Sequence, residues 1–404
     1  VNAVQKRVVV ISHAAVNAPH RAVYERLARD YGWDVHVVAP SSIPIGDGAR
    51  VKTCDAPVTG TAITMHVLPL SLVRTGRFLW FHGLARLLLN LRPSVVFAEY
   101  DPGSLPVILA KTAIKRFGGR VVAYTVENMY HPRFRQAVSD AKNLDVKALL
   151  RDITVGTIDV VGARATDALV CINREGAEIY RHRRGWRKPV ATIPLGTDLS
   201  LFRPLDVSAY RDELGVADRF VVGYFGRLVP EKGADLLVEA LARLPDDVTL
   251  LLDMFKNFAP GSFADGLLRR ADVLRVHQRV VTVDVPHADV PRAMNCCDVI
   301  VLPSKTTPRW KEQFGRVLPE AMACGVPVIG SDSGNIPDML GDAGLIFREG
   351  DVDALVATIR RVYDDRSLRH DLASRGRERV SDLLSVDVQA RAMSEQLTRF
   401  GLGA

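Results

Sequence analysis

Short apolar runs rich in β-branched residues alternate along the chain with longer stretches whose apolar positions recur every three or four residues. The first pattern packs as strands, the second as helices with one buried stripe. In the first half the strand-like runs are RVVVIS, DVHVVAP, SVVFAEY, RVVAYTVEN, ALVCIN and VATIPLG. In the second half they are FVVGYFG, VTLLLDMF, VVTVDV, VIVLPS, VPVIGSD and GLIF. These runs are continuously apolar and do not alternate, so helices should cover both faces of each sheet. Repeated strand–helix–strand order predicts parallel sheets. The second half therefore repeats the architecture of the first, though not its sequence.

Pro, Gly and Asp accumulate in PLGTDLSLFRPLDVSAYRDELGVADRF, which reads as the seam between two sheets. The expected fold is α/β, with two doubly wound Rossmann-like domains, residues 1–205 and 206–385, facing a central cleft. Ligands of such folds bind at the carboxyl ends of the strands. The last amphipathic stretch, SVDVQARAMSEQLTRF, has no sheet of its own to complete. A length of 404 residues fits two domains of about 200 each.

Composition narrows the class. Charged residues at 25% and hydrophobic residues at 48% exclude a disordered or fibrous chain. No apolar run approaches the ~18 residues of a membrane-spanning helix. The opening VNAVQKRVVVIS runs into a strand-like segment without a signal peptide's cleavage region. Five cysteines without metal-ligand spacing lie in or beside apolar runs, which points to reduced core thiols and a cytoplasmic location. Residues 1–200 hold 27 Lys and Arg against 16 Asp and Glu, whereas residues 201–404 hold 26 against 30. The first half should therefore meet an anionic partner. Its cations are spread out and no nucleic-acid motif is present, so nucleic acid is not expected.

Two stretches carry chemistry. YFGRLVPEKGADLL (224–237) ends a strand, turns through Gly226 and starts a helix near Gly233. Arg227 and Lys232 flank that turn, and two cations beside free helix N–H groups suit a diphosphate. Both side-chain ends are expected to be solvated until a ligand arrives. PSKTTPRWKEQFGRVLPEAMACGVPVIGSDSGNIPD (303–338) places Glu312 in a loop and Glu320 in a helix that begins near Gly315. A glycosidase pair, a metal site and a nucleotide-sugar cradle all fit two such acids. The only Asp-x-Asp spacing, Asp351 and Asp353, opens a helical pattern and reads as capping, so no metal is expected.

Together with GDAGLIF and IPLGTDLSLFRP, these stretches resemble the retaining glycosyltransferases of family 4, in register from about residue 94 to 365. The resemblance implies the GT-B fold and identifies the two acids as a Glu-x7-Glu motif. It implies that Arg227 and Lys232 hold the donor diphosphate. Glu312 and the backbone of Gln313, Phe314 and Gly315 would hold the transferred sugar, and Glu320 the ribose. It also implies that the C-terminal helix, about residues 386–404, crosses back onto the first domain. Three departures stand out. SHAAVNAPHRAVYERLA replaces the family's Gly-Gly loop; there Asn17 should cap a helix starting near Pro19, with His20 and Arg21 as stand-in ligands. Glu127 and Asn128, with His131 nearby, occupy the place of a family histidine on the acceptor or sugar side. LLDMFKNFAPGS replaces a Gly-rich loop, so base recognition should differ.

The expected activity is transfer of a sugar from a UDP- or GDP-sugar to an acceptor hydroxyl, with retention of configuration and no cofactor, in cell-envelope glycolipid or polysaccharide synthesis. A nucleotide-sugar epimerase and a non-catalytic nucleotide-sugar-binding subunit are the alternatives. RTGRFLWFHGLARLLLNLR combines Arg74, Arg77, Arg86 and Arg92 with Phe78, Trp80 and Phe81 at spacings that could form a helix. A lipid-linked acceptor and docking at the anionic inner face of the cell membrane are the corresponding expectations.

Overall fold

The computed structural model describes residues 6–45, 50–56, 60–71, 76–130, 146–254 and 259–401. The chain divides into two units, Val1–Pro194 with Gln389–Ala404, and Leu195–Val388.

The first unit is built on seven parallel strands: β1 (Arg7–Ile11), β2 (Asp34–Pro40), β3 (Thr64–Leu68), β4 (Val95–Ala98), β5 (Arg120–Thr125), β6 (Ala168–Cys171) and β7 (Val190–Thr192). Their order is β7-β6-β5-β4-β1-β2-β3. Val10 at the centre pairs with Val37 on one side and Phe97 on the other, and all three are buried. Strand β3 was not expected. It has a single neighbour and no residue classed as buried, so TMHVL lacks the apolar run that marks the inner strands. Helices Leu84–Leu91, Leu105–Ile114 and Val146–Ala165 pack side by side in this unit.

The stretch 74–92 is not one helix, and Arg74 lies outside the described residues. Gly76–Phe78 makes a single 3-10 turn, and Trp80–Phe81 pairs antiparallel with Leu70–Ser71. The helix starts only at Leu84, after Gly83 at φ 85°. That left-handed residue breaks helical continuity. The C-terminal helix, Val386–Gly401, belongs to the first unit from Gln389 onward. Its Ala390, Met393 and Leu397 are buried, and Ser394 Oγ accepts the Trp33 indole N–H at 3.1 Å.

The second unit holds six parallel strands: β8 (Phe220–Tyr224), β9 (Val248–Asp253), β10 (Val280–Val283), β11 (Val299–Leu302), β12 (Val328–Ser331) and β13 (Leu345–Phe347), ordered β10-β9-β8-β11-β12-β13. Residues 195–205, placed with the first half on composition, belong here. The Thr197 N–H donates to Leu384 O at 2.7 Å, and the Val386 N–H donates back to Thr197 O at 3.0 Å. Leu205 N–H donates to the Asn295 side chain at 2.9 Å, and Phe202 is buried. Backbone pairing of this kind cannot be read from Pro and Gly content.

In each sheet the strand order reverses beside the first strand, between β1 and β4 and between β8 and β11. Loops leaving two such neighbours part in opposite directions and open a crevice.

One glycine tests the packing of the first unit. A Cβ on Gly162, inside the helix Val146–Ala165, would lie 1.9 Å from Pro102 O. Alanine is favoured over glycine in a helix by about 1 kcal/mol. The clash is with backbone, which no rotamer relieves, and overpacking costs about 1–3 kcal/mol. Gly162→Ala should therefore lower the denaturation midpoint; a midpoint raised by the substitution would contradict this close approach.

Candidate functional site

In the second unit the crevice between β8 and β11 gathers the residues expected to meet a donor. After β8 the chain turns at Gly226 (φ 152°), and the buried Tyr224 hydroxyl fixes the turn by donating to Arg227 O at 2.8 Å. The Arg227 side chain is exposed. One 3-10 turn, Pro230–Lys232, leads to Gly233 at φ 72°. A Cβ there would stand 1.9 Å from Pro303 O, so only glycine lets the two loops touch. That contact delivers Lys232 to the residues that follow β11.

Lys232 is therefore not a solvated end, which corrects the expectation. Its Nζ lies 2.7 Å from Glu312 Oε2, and Ser304 Oγ donates to the same oxygen at 2.7 Å. The other oxygen, Oε1, accepts the Gly315 N–H at 3.2 Å. The ammonium also sits 4.9 Å from the centroid of the Trp310 ring, whose face attracts a cation. Glu312 is itself anchored, because its carbonyl accepts the Asn335 N–H at 3.0 Å. Gly334 (φ 55°) abuts that carbonyl so closely that a Cβ would come within 2.1 Å. The carboxylate is buried, yet three donors aim at it.

The remaining residues expected on the donor side follow Glu312 in the chain. Gly315 takes φ 72°, Gln313 is half-buried, and Phe314 is buried, so its side chain serves packing while its backbone borders the loop. The helix begins at Val317, and Leu318, Ala321 and Met322 fill the core beneath it. Glu320 is 8% exposed, with Arg316 Nε at 3.0 Å. Burial pushes its carboxyl up to about 7, outweighing the Arg316 guanidinium, which pulls the other way.

In the first unit the outcome is mixed. Arg21 is buried and spends its guanidinium on the chain, donating to Ala15 O at 2.8 Å, Asp55 O at 2.7 Å and Val16 O at 3.3 Å. It is a loop brace and no ligand stand-in. Asn17 does occupy the N-cap position of the short turn Ala18–Arg21, but Asp55 supplies the cap by accepting the Ala18 N–H at 2.9 Å. His20 is half-buried at the end of that turn. Glu127 follows β5 and is held by Arg184 at 2.9 Å, the Tyr180 hydroxyl at 3.3 Å and Arg77 at 3.9 Å. Burial and the neighbouring Asp101 raise its carboxyl above the usual range despite both arginines. Asn128 is buried, and His131 lies outside the described residues.

Sequence reasoning did not single out Ser304, Trp310, Arg184, Asp101 or Asp159. Ser304 had a usable signal, a hydroxyl just beyond a strand end. The others become neighbours only through folding: Arg77 bonds Asp159 from 82 residues away. This pairing also removes Arg77 from the exposed cations expected of 74–92. Asp351 N-caps the helix Val352–Asp364 by accepting the Ala354 N–H at 2.9 Å, and Asp353 pairs with Arg243.

Two outcomes test this geometry. Lys232→Ala leaves the Glu312 carboxylate without its cation and should destabilise the protein by about 3 kcal/mol, the scale for one half of a buried pair. Lys232→Ala with Glu312→Gln should cost less than the sum of the single changes; additive losses in urea titrations would dissolve the pair. Glu320 binds its proton more tightly folded than unfolded. Its contribution therefore lowers stability as pH rises from about 4.5 through 7, by about 3 kcal/mol in all. Glu320→Gln should flatten that part of the stability profile, and a variant with the wild-type slope would rule this titration out.

Residues 206–379 match the family described as Glycosyl transferases group 1, and residues 21–201 match Glycosyltransferase Family 4. The D-inositol 3-phosphate glycosyltransferase of Mycobacterium marinum is 30% identical over 227 residues, 55% of this chain and 46% of that protein. The match thus spans under half the length of that relative. Among solved structures, Anabaena Alr3699/HepE in complex with UDP and glucose superposes with a TM-score of 0.72 at 20% identity, covering 97% of this chain and 99% of that one. Sucrose-phosphate synthase from Thermosynechococcus elongatus also gives 0.72, at 21% identity over 99% of this chain and all of the other. The chain thus carries two glycosyltransferase domains, a Family 4 match leading and a group 1 match following, and its doubly wound sheets share the GT-B fold of these neighbours.

Proposed function

We propose that the chain transfers a sugar from a nucleoside-diphosphate donor, UDP-linked in the first instance, to an acceptor hydroxyl with retention of configuration and without a metal. The observation that carries this reading is the Lys232–Glu312–Ser304 cluster at the β8/β11 crevice, with Arg227 exposed beside it. Lys232 spends one N–H on Glu312, and its other two suit phosphate oxygens. Arg227 adds a planar fork for the same diphosphate. Glu312, oriented by Ser304 and the Gly315 amide, accepts hydrogen bonds from hydroxyls of the transferred sugar. Glu320 accepts from the ribose once ionised. The complex of Alr3699/HepE with UDP and glucose supports UDP as the first donor to test.

In the proposed step the bond between the anomeric carbon and the diphosphate oxygen breaks, and the electron pair leaves with the nucleoside diphosphate. The acceptor oxygen bonds the same carbon on the same face, and its proton passes to the departing phosphate oxygen. Catalysis is then positioning plus stabilisation of the leaving charge. A glycosidase would need one of its acids to work on water, whereas Glu312 is tied to a cation and Glu320 to Arg316. Polyol phosphates, suggested by the name of the mycobacterial relative, and cell-envelope glycolipid precursors are the acceptors to try.

Nucleotide release from a UDP-sugar should depend on added acceptor and persist in a chelator, and the product should keep the donor's anomeric configuration by NMR. Arg227→Ala should lower turnover by roughly 10²–10³-fold with an unchanged melting point, since the side chain is exposed. Sugar interconversion without acceptor would favour an epimerase. Donor binding without any turnover would favour a binding subunit.

A further inference from the structure

The helix Val146–Ala165 turns an apolar stripe to solvent. Val146, Leu150 and Ile153 are 62%, 60% and 43% exposed, and Val160 and Val161 continue the row after the exposed Thr157. Steps of four, three, four and three residues keep these positions on one side of a helix. The stripe runs for about 22 Å at 1.5 Å per residue.

The acids of this helix face the other way. Asp152 is fully buried against Arg151, and Asp159 pairs with Arg77. The neighbouring elements repeat the arrangement. Described residues 84–166 include no exposed acid, because Glu99 bonds Tyr24, Asp101 bonds Thr125, and Glu127 is held by Arg184. Exposed cations are plentiful there: Arg86, Arg92, Lys115, Arg116, Lys147 and Arg164. The exposed Leu89 adds a further apolar contact on the helix Leu84–Leu91.

We infer that the helix Val146–Ala165, with its own exposed Lys147 and Arg164 beside the apolar row, is a docking surface for an anionic lipid bilayer. Aliphatic side chains on a basic face suit the boundary between headgroups and acyl chains, where apolar burial and charge attraction act together. A second copy of this chain would set like charges against each other. Nucleic acid would gain nothing from a row of Val, Leu and Ile. The surface differs from the one read in residues 74–92: Arg77 is turned inward and the stripe lies on another element. Vesicle binding is read without any donor, so its failure and the failure of the proposed chemistry are separable.

The test is co-sedimentation of the whole chain with phosphatidylcholine vesicles, with or without 30% phosphatidylglycerol, at about 50 mM salt. Binding to the anionic vesicles alone is expected. Lys147→Glu with Arg164→Glu should weaken it by roughly thirty-fold or more, at about five-fold per lost cation. Leu150→Glu with Ile153→Glu should abolish it, while melting temperature and UDP-induced stabilisation stay unchanged. Wild-type protein that ignores anionic vesicles, or binding that survives Leu150→Glu with Ile153→Glu, overturns the inference. It is equally overturned if those changes split a dimer in sedimentation velocity, or if duplex DNA binds as well as the vesicles and depends only on Lys147 and Arg164.

Discussion

The second unit depends on one close approach, the contact of Gly233 with the Pro303 carbonyl. Strands β8 and β11 are neighbours in the sheet, but their following loops would diverge without it. Because glycine carries no Cβ, the β8 loop comes near enough for Lys232 to reach Glu312. Ser304, one residue beyond Pro303, is placed by the same contact and donates to the same carboxylate oxygen. A second glycine, Gly334, closes the far side by letting the residues after β12 lie on the Glu312 backbone. Three strand ends thus converge on one carboxylate, and the side chains could not meet if the backbones stood a methyl group farther apart.

How much of this was legible varies with the kind of interaction. Runs such as VVVI, VVGY and VIVL are buried on both faces, so apolar continuity marks them in any context. Strand β3 escaped because an edge strand needs no such run. The residues of the β8/β11 crevice were readable because each sits within a few positions of a strand end or a turn glycine. Their partners were less so: Lys232 and Glu312 are 80 residues apart, and nothing local announces that they touch. Arg21 shows the opposite failure. A cation after a strand resembles a ligand, yet here four backbone carbonyls claim it.

Over its described residues 84–166 the first unit sorts its charges by sign. Its described acids between residues 99 and 159 are held by Arg77, Arg151, Arg184 and hydroxyl groups, and none of them is exposed, whereas arginines and lysines of the same stretch are. Sequence composition recorded the excess of positive charge but could not show this sorting. A net count treats a carboxylate bonded to Arg77 and one facing water alike. Only the first lets its neighbours' field extend unopposed into solvent.

The Trp310 ring, packed over Lys232, gives this arrangement an optical handle. Indole emission responds to a charge a few ångströms away, and the half-buried ring keeps partial contact with solvent. A ligand that draws the ammonium off the ring face changes both influences at once. The chain has three other tryptophans, Trp33, Trp80 and Trp186, none of them in the second unit. Replacing those three with phenylalanine would leave a single fluorophore whose colour and intensity follow the β8/β11 crevice in real time.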